Sequence, residues 1–255
     1  MGRRITTAAT GNMKKVSLEL GGKSPHIVLA DADPVAVAAA AADGIFFNQG
    51  QTCTAGSRLY VHADVYDDVM SALIDKARDI VVGPRPGPPR HPDGSAGVRA
   101  PTRNRQRLRA IRPQQGATLA TGGVTPAGGS TSNTAAATSS PPTVLSETTQ
   151  SMRVVQEEIF GPVLVAMPWR NVDDLIEKAN DSPYGLAAGI WTNDITAAHR
   201  IAAAVKAGTV WINCYNLTDP ASPFGGYKQS GWGREMGRGV LEHYTETKSV
   251  WVNLT

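Results

Sequence analysis

The stretch Gly50-Gln51-Thr52-Cys53-Thr54-Ala55-Gly56-Ser57-Arg58 holds one of the two cysteines of the chain in a turn of small and polar residues. Upstream, Leu18-Glu19-Leu20-Gly21-Gly22-Lys23 sets a carboxylate against a pair of glycines. A thiol and a carboxylate so framed suggest a nucleophile and the base that serves it. Covalent catalysis by cysteine needs both, because a free thiol is weakly ionised at neutral pH and an acyl-enzyme must be cleared by activated water.

Outward from these turns, strand and helix signals alternate. His26 to Ala30 reads as a short buried strand. Asp33 can cap a helix that has Pro34 at its first position and runs toward Phe47. Leu59-Tyr60-Val61 reads as a strand, and residues 64–82 place Val65, Val69, Leu73, Ala77 and Ile80 on one helical face. Further on, Val163 to Met167, Leu186 to Trp191 and Thr209 to Cys214 read as strands, with helices over Val172 to Asn180 and Ile195 to Val205. Such alternation predicts an α/β fold with a parallel sheet covered by helices. Lys248 to Leu254 alternates apolar and polar residues and reads as a half-covered strand.

The 255 residues suffice for a large core and one or two domains. A hydrophobic content of 41% and a charged content of 18% fit a soluble globular protein. Two cysteines make no disulfide framework, which points to a reducing, cytoplasmic setting, and neither a membrane span nor a signal peptide is evident. The net charge of +3 misleads, because residues 84–112 carry eight arginines against Asp93 alone and the rest of the chain sums to −4. No nucleic-acid role follows from the total. Five scattered histidines show no ligand spacing, so no metal is expected.

The two turns together resemble the aldehyde dehydrogenase family. Glu157-Glu158-Ile159-Phe160-Gly161-Pro162-Val163 and Pro223-Phe224-Gly225-Gly226-Tyr227-Lys228-Gln229-Ser230-Gly231 also look like family blocks, in the family's order. Matches are dense over residues 1–83 and 143–255. The resemblance implies a remnant of a Rossmann-like, NAD-binding domain over residues 1–20 and a parallel-sheet catalytic domain over 21–221. A return segment over 222–243 and an oligomerisation strand over 244–255 would follow. The implied activity is NAD- or NADP-dependent oxidation of a small aldehyde to a carboxylate, in a homodimer or homotetramer.

By the same resemblance, Cys53 attacks the carbonyl to give a thiohemiacetal and then a thioester, and its backbone N–H helps to hold the oxyanion. Glu19 would activate the deacylating water. Leu20 would offer its carbonyl to the nicotinamide amide, with Gly21 beside it. Glu158 would bind the nicotinamide ribose hydroxyls, and Phe160 would pack beside the nicotinamide. Tyr215, Thr218 and Phe224 would line or border the aldehyde pocket. Most cysteines are simply small buried hydrophobes, and Cys214, which lacks such a context, reads as packing. Gly22-Lys23-Ser24 is no phosphate loop, since Ser17 stands where that motif needs glycine. Gly231 to Gly237 misses the dinucleotide fingerprint by one residue of spacing.

Two departures shape the expectation. Met1 to Ile5 resembles the family immediately after its Thr-Gly-Ser loop. An intact member would therefore have about half its length upstream, with most of the nucleotide-binding sheet and an asparagine of the oxyanion hole. Residues 84–142 are rich in Pro and Arg, then in Gly, Ser, Thr and Ala, and are expected to be disordered. They read either as a low-complexity insertion or as a frameshift, and codons can be chosen that restore a family-like frame. The chain is accordingly expected not to reduce NAD with an aldehyde. Besides the dehydrogenase reading stand two others: a non-enzymatic fragment that pairs with an intact homologue, and a cofactor-free thiol esterase.

Overall fold

The computed structural model describes residues 1–81, 116–123 and 140–255. Helix α1 (Gly2–Thr10) and the two-residue strand β1 (Leu18–Glu19) lead into β2 (Pro25–Val28), α2 (Pro34–Phe46), β3 (Arg58–His62) and α3 (Tyr66–Asp79). Then come β4 (Thr118–Thr121), β5 (Thr143–Ser146), the short α4 (Arg153–Gln156), β6 (Val163–Trp169) and α5 (Val172–Asn180). The chain continues through β7 (Ala187–Trp191), α6 (Ile195–Ala204), β8 (Thr209–Ile212), β9 (Gly231–Trp232) and α7 (Leu241–Tyr244).

Seven strands form one sheet in the order β4-β5-β6-β3-β2-β7-β8, parallel throughout except for the β4–β5 pair. Because side chains alternate along a strand, the sheet has two apolar faces. Val28, Leu59, Val61, Leu164 and Ala166 pack against α2 and α3. Ile27, Tyr60, Val165, Met167 and Ile190 pack on the opposite side against α5 and α6. Local capping sets the helix starts: Asp33 accepts hydrogen bonds from the N–H groups of Val35 and Ala36, Asn171 does the same for α5, and Asp194 for α6.

Two expectations need adjustment. Thr118–Thr121, inside the stretch expected to be disordered, is an edge strand, because Leu119 and its neighbours find the backbone of β5 to pair with. The other expectations for that stretch, the frameshift included, fall mostly on residues 82–115 and 124–139, outside the described residues. The tail over 245–255 forms no strand within this chain, and Trp251 is 93% exposed. Alternation makes a strand only where a neighbouring backbone completes the ladder. Helix α1 buries Gly2 alone and leaves Ile5 exposed. No helix among the described residues is long and apolar enough to cross a membrane.

The sheet and α5 are tied together by Arg58, which is fully buried. Its Nε donates to the Lys23 carbonyl at 2.8 Å, while Nη1 reaches the Lys178 carbonyl at 3.2 Å and Nη2 the Ala179 carbonyl at 2.8 Å. The last two carbonyls lie at the C-terminus of α5, the negative end of the helix dipole, which compensates a cation that has no carboxylate ion pair among the described residues. Replacing Arg58 with methionine strands the Lys23 and Ala179 carbonyls. The expected result is a loss of about 2–3 kcal/mol of stability, read as a lower urea midpoint; an unchanged midpoint would contradict this role for Arg58.

Candidate active site

In a parallel sheet the amino ends of neighbouring strands lie at one edge. Gly21 to Lys23 precede β2, Gly50 to Ser57 precede β3, and Glu157 to Pro162 precede β6. Sheet pairing matches Pro25 with Arg58 and Arg58 with Val165, so these three loops converge although they are far apart in sequence. The site thus sits at the amino edge, whereas ligand crevices of open α/β sheets usually lie at the carboxyl edge.

Convergence is closest where side chains are missing. A Cβ on Gly22 would run into the Cys53 carbonyl oxygen, and one on Gly21 would land on the Glu158 carboxylate. The Gly22 N–H donates to Glu158 Oε1 at 3.0 Å. Ahead of Cys53, Asn48, Gln49 and Gly50 all take positive φ, at 48°, 61° and 68°. Gly50 packs there against the Gly161 carbonyl, a place with no room for a side chain.

The fourth block straps the Glu19 turn from outside. Strand β9 pairs antiparallel with β1, Leu18 with Trp232 and Glu19 with Gly231. Ser230, fully buried, donates through Oγ to the Gly21 carbonyl at 2.7 Å and accepts the Gly185 N–H at 3.0 Å. The Leu20 N–H donates to the Ser230 carbonyl at 3.0 Å. Phe224 and Glu235 exchange backbone hydrogen bonds, both at 2.7 Å, and bring Gly225 against Glu19 Oε1.

Glu19 keeps an exposed face, yet its packed side pushes the carboxyl pKa up to about 7. Burial is the main cause, followed by the charge of Glu235, with Arg234 opposing. Cys53 is half-buried, and burial likewise raises its thiol pKa. The backbone N–H groups of Cys53 and Thr54 pull it back down, while the charges of Glu19 and Glu158 raise it further. The Cys53 influence on Glu19 is weaker than the reverse, because the carboxyl ionises while the thiol is still neutral.

Cys53, Glu19, Leu20, Gly21 and Glu158 therefore lie in one cluster, and Phe160 lines the same cleft as Gly22, Thr52 and Glu158. Phe160 has φ of 57° and is 37% exposed. Thr218 and Phe224 share a separate cavity of about 340 Å³ with Trp211, Leu217, Pro223 and Met236. Tyr215 is not part of its wall. Its ring packs on His26 and Trp211, and its hydroxyl donates to the Thr54 carbonyl at 2.6 Å, behind the Cys53 loop. Thr54 Oγ1 also donates to Asn216 Oδ1 at 2.9 Å, which joins this loop to the cavity side.

Sequence reasoning missed the roles of Ser230, Arg234 and Glu235. Ser230 stood within a recognised block, but its contacts are to backbone atoms, which leave no trace in residue pattern. Lys23 was missed as well. It is fully buried and its Nζ has no hydrogen-bond partner among the described residues; burial, then Arg58, drives its pKa down to about 7, with Glu158 and Glu157 opposing. Among the described residues no three His, Cys, Asp or Glu side chains gather as a metal site.

A family model described as "Aldehyde dehydrogenase family" matches residues 1–250. The phenylacetaldehyde dehydrogenase of Pseudomonas fluorescens is 45% identical over 98% of this chain and 49% of its own length. The betaine aldehyde dehydrogenase of Bacillus subtilis is 41% identical over 99% of this chain and 51% of its own length. Among solved structures, the NAD+ complex of an aldehyde dehydrogenase from Bacillus cereus is similar with a TM-score of 0.87 and 43% identity, over 100% of this chain and 50% of the other. The chain spans about half the length of these relatives.

The contact between Gly22 and Cys53 yields a direct expectation. Gly22→Ala must push the Glu19 turn off the Cys53 loop, and a loss of about 1–3 kcal/mol is expected. Gly239→Ala, where an added Cβ meets nothing within 4 Å, is the control. Equal melting temperatures for the two variants would contradict the claim.

Proposed function

The chain belongs to the aldehyde dehydrogenase family, and we propose that Cys53 and Glu19 are the nucleophile and the general base of NAD(P)-dependent oxidation of an aldehyde to a carboxylate. The observation that carries this reading is the meeting of the two residues: a half-buried thiol within the field of a carboxyl whose pKa is about 7. A base with that pKa is divided between its two protonation states at neutral pH, the condition under which it takes a proton most effectively.

In this reading Cys53 Sγ, as thiolate, adds to the carbonyl carbon, and the backbone N–H of Cys53 stabilises the oxyanion of the thiohemiacetal. The residues fit the nicotinamide end of a dinucleotide. Glu158 has a carboxylate able to accept two ribose hydroxyls, Phe160 exposes an aromatic ring at the cleft, and Leu20 adds a backbone carbonyl. When bound, such a cofactor supplies the two-electron acceptor that converts the adduct to a thioester. Glu19 then removes a proton from water as the water adds to the thioester, and the Cys53 thiolate leaves. The Thr218–Phe224 cavity is the corresponding place for the aldehyde's substituent. Oligomerisation through the exposed tail residues Val250 to Leu254 belongs to the same proposal.

A second reading is favoured by the fact that both groups of the acyl-transfer half-reaction lie within this chain: hydrolysis of activated esters without a cofactor. That chemistry supplies the test. Turnover of p-nitrophenyl acetate should fall by about a hundredfold in Cys53→Ala. In the parent chain, turnover should rise with pH through about 7, because Glu19 acts only once it has lost its proton. Glu19→Gln should lose that rise and accumulate acetylated Cys53, detectable by mass. Ester turnover that survives Cys53→Ala would sink the assignment.

A further inference from the structure

We infer that His26 is a positioning residue for the Cys53 thiol: its imidazole, boxed in behind the Cys53 loop, fixes the Tyr215 ring whose hydroxyl holds the Thr54 carbonyl. The inference rests on the reading of Cys53 as the reactive thiol. It starts from a side chain that simple packing does not explain. His26 is fully buried at the second position of β2, and neither ring nitrogen has a hydrogen-bond partner among the described residues. Burying an imidazole unpaired is costly, and an apolar side chain would fill the same space at less cost.

The space is nevertheless shaped to a ring. Gly44 in α2, Gly56 after the Cys53 loop and Gly189 opposite His26 in β7 all face it. A Cβ at these positions would sit 2.9, 2.6 and 3.0 Å from the imidazole. Gly44 lies inside an alanine-rich helix, where glycine costs about 1 kcal/mol relative to alanine. Two rings complete the surroundings: Tyr215, edge-on with ring centroids 4.0 Å apart and planes at 72°, and, further off, Trp191 with centroids 6.5 Å apart. Burial keeps the imidazole neutral, with its pKa driven down to about 3, so this contact is the same across ordinary pH.

Tyr215 passes the constraint on. Its hydroxyl grips the Thr54 carbonyl at 2.6 Å. The Gly56 N–H, bonded to the Gly44 carbonyl at 3.0 Å, anchors the loop two residues further on. Between these anchors Thr54 has little freedom to turn, and its own N–H stays beside the thiol, where it favours the thiolate. Without the grip on its carbonyl, Thr54 can rotate and withdraw that donor, leaving the thiol to burial and to the charges of Glu19 and Glu158.

The test is the pH profile of Cys53 alkylation by iodoacetamide, mapped by mass spectrometry on the intact chain. His26→Ala removes the ring, and Tyr215→Phe keeps the ring while deleting the hydroxyl. Each is expected to slow Cys53 alkylation about fivefold near pH 7.5, with the deficit vanishing at high pH where the thiolate is fully formed. The double variant should be no slower than either single one, because both act through one hydrogen bond. A folded His26→Ala chain with the parent profile would overturn the inference, as would a parent profile in Tyr215→Phe or fully additive effects in the double variant. Should His26→Ala fail to fold, His26→Leu, which fills the box without a ring, takes its place with the same expected outcome. Ester turnover that depends on Cys53 while the profile is insensitive to His26 would leave the catalytic reading standing and remove this inference alone.

Discussion

One constraint governs the site: the backbone at Gly22 lies against the Cys53 carbonyl, where no side chain can stand. Register in a parallel sheet brings the loops ahead of β2, β3 and β6 to one edge, but only to within the reach of side chains. Closing the last few ångströms requires backbone against backbone. Glycine alone permits that, at the cost of chain entropy. The hydrogen bond from the Gly22 N–H to Glu158 then fixes the third loop on the first two. Glu19 owes its position to the same stacking, held from outside by β9 and Ser230.

The electrostatics follow from this closeness. Burial in the packed loops is the first cause that pushes the pKa values of Glu19 and Cys53 up; the charge of Glu235 adds to it at Glu19, and the charges of Glu19 and Glu158 add to it at Cys53. A carboxyl with a pKa of about 7 beside a reluctant thiol forms a pair in which proton loss at one site hinders it at the other. In the proposed two-stage reaction the thiolate would act first and the carboxylate later.

Much of this was legible in the sequence. Asp33-Pro34 announced the start of α2, and the apolar runs announced β2, β3, β6, β7 and β8, because those signals are local. The side chains proposed to act, those of Cys53, Glu19 and Glu158, stood in recognisable blocks. What escaped depends on partners distant in sequence. The tail over Lys248 to Leu254 alternates as a strand does, yet finds no ladder within the chain. Thr118 to Thr121 looked structureless until β5 offered one. Tyr215 resembled a pocket wall, but its contacts to His26 and Thr54 are settled by which strands are neighbours.

The buried cations complete the argument. Lys23 and Arg58 lie next to the glycine pair, a placement that would be prohibitive without compensation. Arg58 finds it in the carbonyls that end α5, and Lys23 draws on the charges of Glu158 and Glu157 while its pKa falls to about 7. Glu158 is thus held from above by the Gly22 N–H and attracted toward the core by a partly charged amine. The loop that carries it is fixed at its far end by the packing of Gly161 on Gly50. A carboxylate so confined has little freedom to rearrange, and the entropy of ordering it is met by the fold before any ligand arrives. The run Asn48-Gln49-Gly50 ahead of the thiol also takes a locally unfavourable conformation, in which Asn48 and Gln49 stay exposed and Gly50 is the buried anchor, packed on the Gly161 carbonyl.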